Sequence, residues 1–316
     1  MEFDNENDEK TSICRKKVLI LLNEAAGTGR AGNNTYIIAK RFAENGYEPV
    51  LYPIIPGTSL VSEDILTEYE GKADIVLCSG GDGTLNHVMN AIMKMKERPC
   101  LAYIPSGSTN DFANSLGIPT EAKAALETAI TGQRLRYDVA KFNDTYFNYV
   151  AAFGAFSAVS YATKQELKNV WGHAAYIISA VGEFSQNIRY SCHMKIEADD
   201  FSEEGNYIFG AVCNSTSIGG MSLLENMNIK HDDGKMELLL IQAPQNLSDL
   251  QHILMSLGKG SMEDSRITFR QITRARFISD ENTAWSVDGE FGGANEETLI
   301  EVEEKAMSIM VSGKSN

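Results

Sequence analysis

Positive charge is in short supply in this chain. Its 28 Lys and Arg are outnumbered by 43 Asp and Glu, a formal net charge of −15. A chain of that sign is repelled by nucleic acid and by anionic membranes, so no nucleic acid is expected as a partner short of a local basic patch. Long apolar runs are missing too. None approaches the roughly 20 residues of a membrane-spanning helix, and residues 174–182 form one of the longest. No transmembrane segment is expected, and any membrane contact should be peripheral. Cysteine is sparse: Cys14, Cys78, Cys100, Cys192 and Cys213 include no close pair. That spacing excludes a disulfide framework and a zinc site and fits reduced thiols in a cytoplasmic protein. The first ten residues are acidic and polar, unlike a signal or transit peptide. Residues 1–15 are expected to be disordered or extended.

What the chain does have is enough apolar material for a full core, 43% of 316 residues, at a length that implies two domains. Strand and helix signals alternate in its first part. Residues 17–23, 49–55, 74–79 and 101–104 read as short buried strands, and 34–45, 65–69, 85–96, 112–116 and 121–130 as helices. That alternation predicts βαβ units around a parallel sheet. The pattern changes near Gly132. Residues 135–142 and 146–153 read as a hairpin about Asn143-Asp144. Further strands are expected at 190–196, 207–213, 236–242, 267–270, 275–278, 284–287 and 299–302, interrupted by helices at 164–184 and 247–257. The second part is thus expected to be an antiparallel, mostly β domain.

Three loops carry the chemistry. Gly80-Gly81-Asp82-Gly83-Thr84 stands where a buried strand ends and a helix begins, the place where an open α/β sheet binds ligands. Glycines let backbone N–H groups approach a polyphosphate, and the helix N-terminus attracts negative charge. Asp82 among those donors would repel phosphate, which calls for a metal ion or ordered water between them. Gly27-Thr-Gly29-Arg-Ala-Gly32 matches the dinucleotide fingerprint in form, but the second strand ends Leu51-Tyr52-Pro53-Ile54 without the carboxylate that holds a ribose. NAD binding is therefore not expected, and a phosphate-cradling turn beginning at Asn23 is. Gly107-Ser108-Thr109-Asn110-Asp111 ends the fourth strand on the same sheet edge, with hydroxyls and amides suited to a nucleotide. Asp111 there could bind metal-linked water or cap a helix. Neither the Walker lysine pattern nor the protein-kinase set is present.

These residues resemble one family, the soluble bacterial diacylglycerol kinases, which share a catalytic domain with sphingosine and ceramide kinases. The resemblance runs from about Lys17 to Val311. It rests on 23–27, 80–86 and 107–113, then on Asn214-Ser215, on His231-Asp232-Asp233-Gly234-Lys235 and on Val287-Asp288-Gly289-Glu290. The resemblance implies an N-terminal three-layer α/β nucleotide-binding domain, 16–135 with 295–316 returning to it. It also implies a C-terminal antiparallel β-sandwich domain, 136–294, with the active site in the cleft between them. It implies ATP and Mg²⁺ as cofactors and a lipid substrate met at a membrane surface, with homodimerisation common in the family. The γ-phosphate goes to a primary hydroxyl of the lipid, most often diacylglycerol in bacteria.

Carried over by position, Asp288 is the expected general base and Glu290 its support. Asp82 and Asp111 would hold a water-linked Mg²⁺ network, and Asp233 a separate structural Mg²⁺ with the carbonyls of Lys230 and Lys235. The nucleotide would lie against Asn23, Gly27, Gly29, Gly80, Gly81, Asp82, Gly83, Thr84, Gly107, Ser108, Thr109 and Asn110. Without the resemblance, Asp288-Gly289 reads as a hairpin turn and Asp232-Asp233-Gly234 as a type I turn. The lipid cleft is expected along 150–157 and 218–221. This chain departs from the family at Glu24, where Pro is usual, at His87, where Glu is usual, and at Ser108 for Thr. Thr28 also thins a basic patch reduced to Arg30, Lys164 and Lys168. Two other readings of the loops remain at this point: an NAD-kinase or phosphofructokinase-like enzyme, and an idle nucleotide- or lipid-binding protein.

Overall fold

The computed structural model describes residues 15–23, 31–55, 62–107, 109–154, 191–216, 224, 227 and 229–313, leaving aside the side chains of 31–34 and 258. The expected tail at 1–15, except for Arg15, and the expected helix at 164–184 lie outside them. So do Gly27, Gly29, Ser108, the basic residues Arg30, Lys164 and Lys168, and most of the expected lipid cleft.

Strand β1 (Lys16–Asn23) is buried on both faces through its Val-Leu-Ile-Leu-Leu centre, as a central parallel strand must be. It pairs in parallel with β2 (Tyr47–Ile54) and β3 (Ile75–Gly80), and β3 pairs with β4 (Cys100–Pro105). Alternation along β1 sends Val18, Ile20 and Leu22 to one face and Leu19 and Leu21 to the other. The first set packs against Ile38 and Phe42 of α1 (Ala31–Glu44) and Leu126 and Ala129 of α5 (Ala122–Thr131). The second packs against Ile65 and Leu66 of α2 (Ser62–Glu68) and Val88 and Ile92 of α3 (Asp82–Met93). Helices therefore cover both faces, and the β3-to-α3 and β4-to-α4 (Asp111–Ser115) turns lie on one sheet edge.

The remaining strands are antiparallel to one another: β5 (Gln133–Phe142), β6 (Thr145–Phe147), β7 (Val150–Gly154), β8 (Cys192–Ala198), β9 (Phe201–Cys213), β10 (Met236–Gln242), β11 (Ile267–Ile272), β12 (Arg274–Val287) and β13 (Glu290–Val311), of which β13 also meets β4 in parallel. A helix, α6 (Leu247–Gly258), precedes β11. Hydrogen bonding runs without interruption through β11-β10-β9-β7-β12-β13-β4-β3-β1-β2. Strand β13 makes the join. Its early part pairs with β12, its later part with β5, and Ile309 lies beside Leu101 of β4. The main core follows the same path, from Leu19 through Phe112 and Tyr137 to Leu239. No helix among the described residues is long and apolar enough to cross a membrane.

Three expectations are corrected. Residues 146–153 form two strands, because the chain breaks at Asn148-Tyr149, where backbone N–H groups turn to a side chain described below. Residues 274–287 form one strand with a register shift between Ile278 and Thr283, not two. Helix α3 begins at Asp82, so the glycine motif is its first turn rather than a loop before it.

One core residue titrates in an unusual place. Glu237 on β10 is buried, accepts from Gln271 Nε2 at 3.3 Å, and is pushed up to about 7 chiefly by that burial. The fold therefore binds this proton more tightly than the unfolded chain, whose carboxyl titrates near 4.5. Stability then declines as pH rises through that window. In Glu237→Gln that decline is absent. Relative to wild type, the variant's stability in urea melts is expected to rise by about 3 kcal/mol from about pH 4 to about pH 8, at about 1.4 kcal/mol per pH unit.

Candidate active site

Helix α3 opens at Gly81 with no side chain capping its first turn. The free N–H groups and the helix dipole there make a binding place for an anion. Neighbours fix the loop tightly. The Gly80 carbonyl accepts from Ser106 N at 2.9 Å and from Tyr103 Oη at 3.1 Å. A Cβ on Gly80 would stand 2.7 Å from the Cβ of Thr84, and one on Gly107 would stand 3.0 Å from Gly81 Cα. Glycine is needed at both for closeness of approach. Asn23, at the end of β1, donates through Nδ2 to Thr84 Oγ1 at 2.7 Å. The first and second sequence motifs are thus in direct contact.

The third motif closes on the second through Asp82. Its Oδ2 accepts from Thr109 Oγ1 at 3.2 Å and from Asp111 N at 3.3 Å, whereas its Oδ1 is buried with no partner among the described residues. Burial raises the Asp82 pKa, with the Thr109 and backbone hydrogen bonds opposing it. Asn110, in the left-handed region at φ 53°, donates to Gly107 O at 3.0 Å, and its own Oδ1 is likewise buried and unpartnered among the described residues. Asp111 is buried at the head of α4. Unpartnered carboxylate and amide oxygens beside an uncapped helix N-terminus suit a hard cation with a polyphosphate.

Asp288 and Gly289 are the two central residues of the β12–β13 hairpin. Both have positive φ, 50° and 84°, as a type I′ turn requires. The turn reading and the carboxylate reading therefore apply to the same residue. Asp288 is 3% exposed. Its Oδ2 accepts from Asn86 Nδ2 at 2.6 Å and Asn148 N at 2.7 Å, and its Oδ1 from Tyr149 N at 3.0 Å and Val150 N at 3.2 Å. Burial pushes its pKa up to about 6, and the four hydrogen bonds pull the other way. A carboxylate offers about four lone-pair sites, and all four are taken.

Glu290 differs. It is exposed, and its Oε1 sits where a Cβ on Gly83 would collide with it, over the first turn of α3. His87, one turn along, faces solvent.

The 231–235 turn carries the second expected metal position. Asp233 Oδ1 accepts from Lys235 N at 3.2 Å, and Lys230 leads into the turn. Asp138, which the sequence reading passed over, ties the turn down. Its Oδ2 accepts from Gly234 N and its Oδ1 from Lys305 N, both at 2.6 Å. Among the described residues no group of three acidic, His or Cys side chains is placed to hold a metal ion. A cation here would rest on Asp233 and backbone carbonyls. His231 stacks on Tyr137 at 5.8 Å, and Tyr137, Phe112 and Tyr103 continue edge to face, linking this turn to the Gly80 carbonyl. Asn86 entered the sequence reading only as the end of the 80–86 motif, and Asn90 and the 148–150 amides escaped it; the Asn86/Asn90 spacing of one helical turn was there to see.

An anion site at a helix head with a carboxylate leaning over it is the apparatus of a phosphotransferase. The comparisons agree. Residues 17–142 match the family described as Diacylglycerol kinase catalytic domain. A diacylglycerol kinase of Staphylococcus saprophyticus is 30% identical over 284 residues, 88% of this chain and 90% of that one. A diacylglycerol kinase of Staphylococcus aureus strain MRSA252 is 29% identical over 282 residues, 88% of this chain and 87% of that one. A solved diacylglycerol kinase from Bacillus anthracis str. Sterne shares the fold, with a TM-score of 0.73 at 22% identity over 95% of this chain and 98% of that one. The chain belongs to the diacylglycerol kinase family, enzymes that phosphorylate an alcohol group.

Proposed function

We propose that the protein transfers the γ-phosphate of ATP to the primary hydroxyl of diacylglycerol, giving phosphatidic acid. The observation that carries this is the Glu290 carboxylate, exposed and held over Gly83 at the anion-binding head of α3. In this reading the nucleotide lies on 16–135 and the end of β13, and the lipid approaches from 136–294. Phe291, exposed beside Glu290, offers the lipid an apolar contact. Membrane contact is peripheral.

The α3 amides hold the phosphates, and Thr84, fixed by Asn23, borders them. Asp82 Oδ1 and Asp111 would hold Mg²⁺ through water, and Asp233 with the Lys230 and Lys235 carbonyls a second, structural ion. The first ion would supply neutralisation of the charge on the phosphates. Proton removal falls to Glu290 rather than Asp288. Asp288 has the raised pKa, but it is buried and its lone pairs are engaged by four donors, whereas Glu290 is exposed beside the anion site, and geometry is weighed before pKa. Its part is to anchor the hairpin.

The test is transfer of labelled phosphate from Mg²⁺-ATP to a panel: diacylglycerol, ceramide and a sphingoid base in mixed micelles, with NAD and a sugar phosphate in solution. Phosphatidic acid is the expected product. Label in another lipid would move the substrate within the family, and label in NAD or sugar would overturn the lipid reading.

A further inference from the structure

Of two asparagines one turn apart on α3, Asn86 reaches the hairpin that carries Glu290 and Asn90 reaches Tyr146 on β6. Tyr146 N donates to Asn90 Oδ1 at 2.8 Å, and Asn90 Nδ2 returns a hydrogen bond to Tyr146 O at 2.9 Å. A backbone N–H can only donate, so the Asn90 amide has one orientation. Its Nδ2 also faces Asn86 Oδ1 at 3.1 Å. That contact orients the second amide in turn and leaves Asn86 Nδ2 to donate to Asp288 Oδ2 at 2.6 Å. The direction of every bond follows from one backbone amide. Tyr146 is itself held, its Oη donating to Glu303 Oε1 on β13 at 2.9 Å.

We propose that Asn86 and Asn90 are positioning residues, an amide relay that locks the β12–β13 hairpin, and Glu290 with it, onto the helix whose first turn binds phosphate. The relay joins three parts of the site: the α3 head, the Asn148–Val150 amides and the hairpin. Its effect on rate rests on the reading of Glu290 as proton acceptor.

Asn86→Asp tests it. The variant sets a carboxyl against Asp288, and two carboxyls that close cannot both ionise; at low pH they share a proton and the donor to Asp288 is restored. The other titratable groups around Asp288 are Glu290 on its own turn, Tyr137 and Tyr149, with Asp82 and Asp111 beyond Tyr149 and Glu237 and Cys213 beyond Tyr137. None stands between positions 86 and 288. Wild-type kcat is expected to fall as pH drops through about 6. For Asn86→Asp, kcat should be lower by about 10- to 100-fold at about pH 8, the worth of one charge-assisted hydrogen bond. It should recover as pH falls, with the KM for ATP little changed. Asn90→Leu, which frees the Asn86 amide without adding charge, should lose about tenfold in kcat. A wild-type pH profile in Asn86→Asp together with wild-type kcat in Asn90→Leu would overturn the relay. If Asn86→Asp does not fold, Asn90→Leu decides alone. Full activity in Glu290→Gln would sink the proton-acceptor reading instead and leave the inverted profile of Asn86→Asp as evidence for the contact.

Discussion

Glu290→Gln is expected to reduce kcat by about 10²- to 10⁴-fold, the usual worth of a positioned general base, while melting within about 2 °C of wild type, as an exposed substitution outside any special feature should. Its carboxylate is exposed above Gly83 and makes no ion pair among the described residues. The neutral amide keeps the size and loses only the ability to take a proton. Steady-state kinetics with Mg²⁺-ATP and diacylglycerol micelles, beside a thermal melt, are sufficient. If kcat stays within about fivefold of wild type, less than a base is worth, the role returns to Asp288. Asp288→Asn alone would not separate the two readings. Its new N–H₂ would point at two groups that are themselves donors, either Asn148 N with Asn86 Nδ2 or Tyr149 N with Val150 N. The hairpin would shift whether or not Asp288 takes the proton.

The largest loss of stability is expected from Trp285→Ala, about 3–5 kcal/mol, or roughly 10 °C in melting temperature for a chain of this size. Trp285 is 2% exposed on β12, three residues before Asp288. Its ring lies 4.8 Å from Phe153, 5.0 Å from Phe277 and 5.3 Å from Phe142, all edge to face. Alanine would open a cavity among three rings whose backbones sit in different strands and cannot all close on it. Trp285→Phe should lose much less, since it removes part of the volume and keeps an aromatic contact. Equal melts for the two variants would mean that the ring cluster adds little.

Much of the first half was legible because local and tertiary signals coincide there. Residues 18–22 are apolar without a break because both faces of β1 are covered, the glycines at 81 and 107 mark a place where backbones nearly touch, and Gly80 one where the Thr84 side chain closes on the backbone. The reading failed where a distant partner overrides the pattern. The apolar run continues past Asn148-Tyr149, yet the strand stops there because the amides of 148–150 serve a carboxylate some 140 positions away. Asn86 meets Asp288 across 202 positions, and nothing in the composition of α3 marks one asparagine as an anchor. Asp138 is similar: a lone acid in a strand, its function visible only once Gly234 and Lys305 are beside it. The division of roles proposed for Asp288 and Glu290 rests on counting lone pairs, a quantity that motif position does not contain.

Strand β13 has a mechanical consequence. Glu290 is its first residue, and 19 positions later Ile309 lies against β4 of the parallel sheet, so the proposed proton acceptor and the scaffold share one length of chain. No slack linker interrupts β13 between those two residues. The pairing with β5 slips between Glu303 and Met307, around Lys305 at φ 50°, whose N–H is held by Asp138. If the two halves close over their substrates, this kink is where β13 can bend, and the grip of Asp138 sets how stiff that joint is.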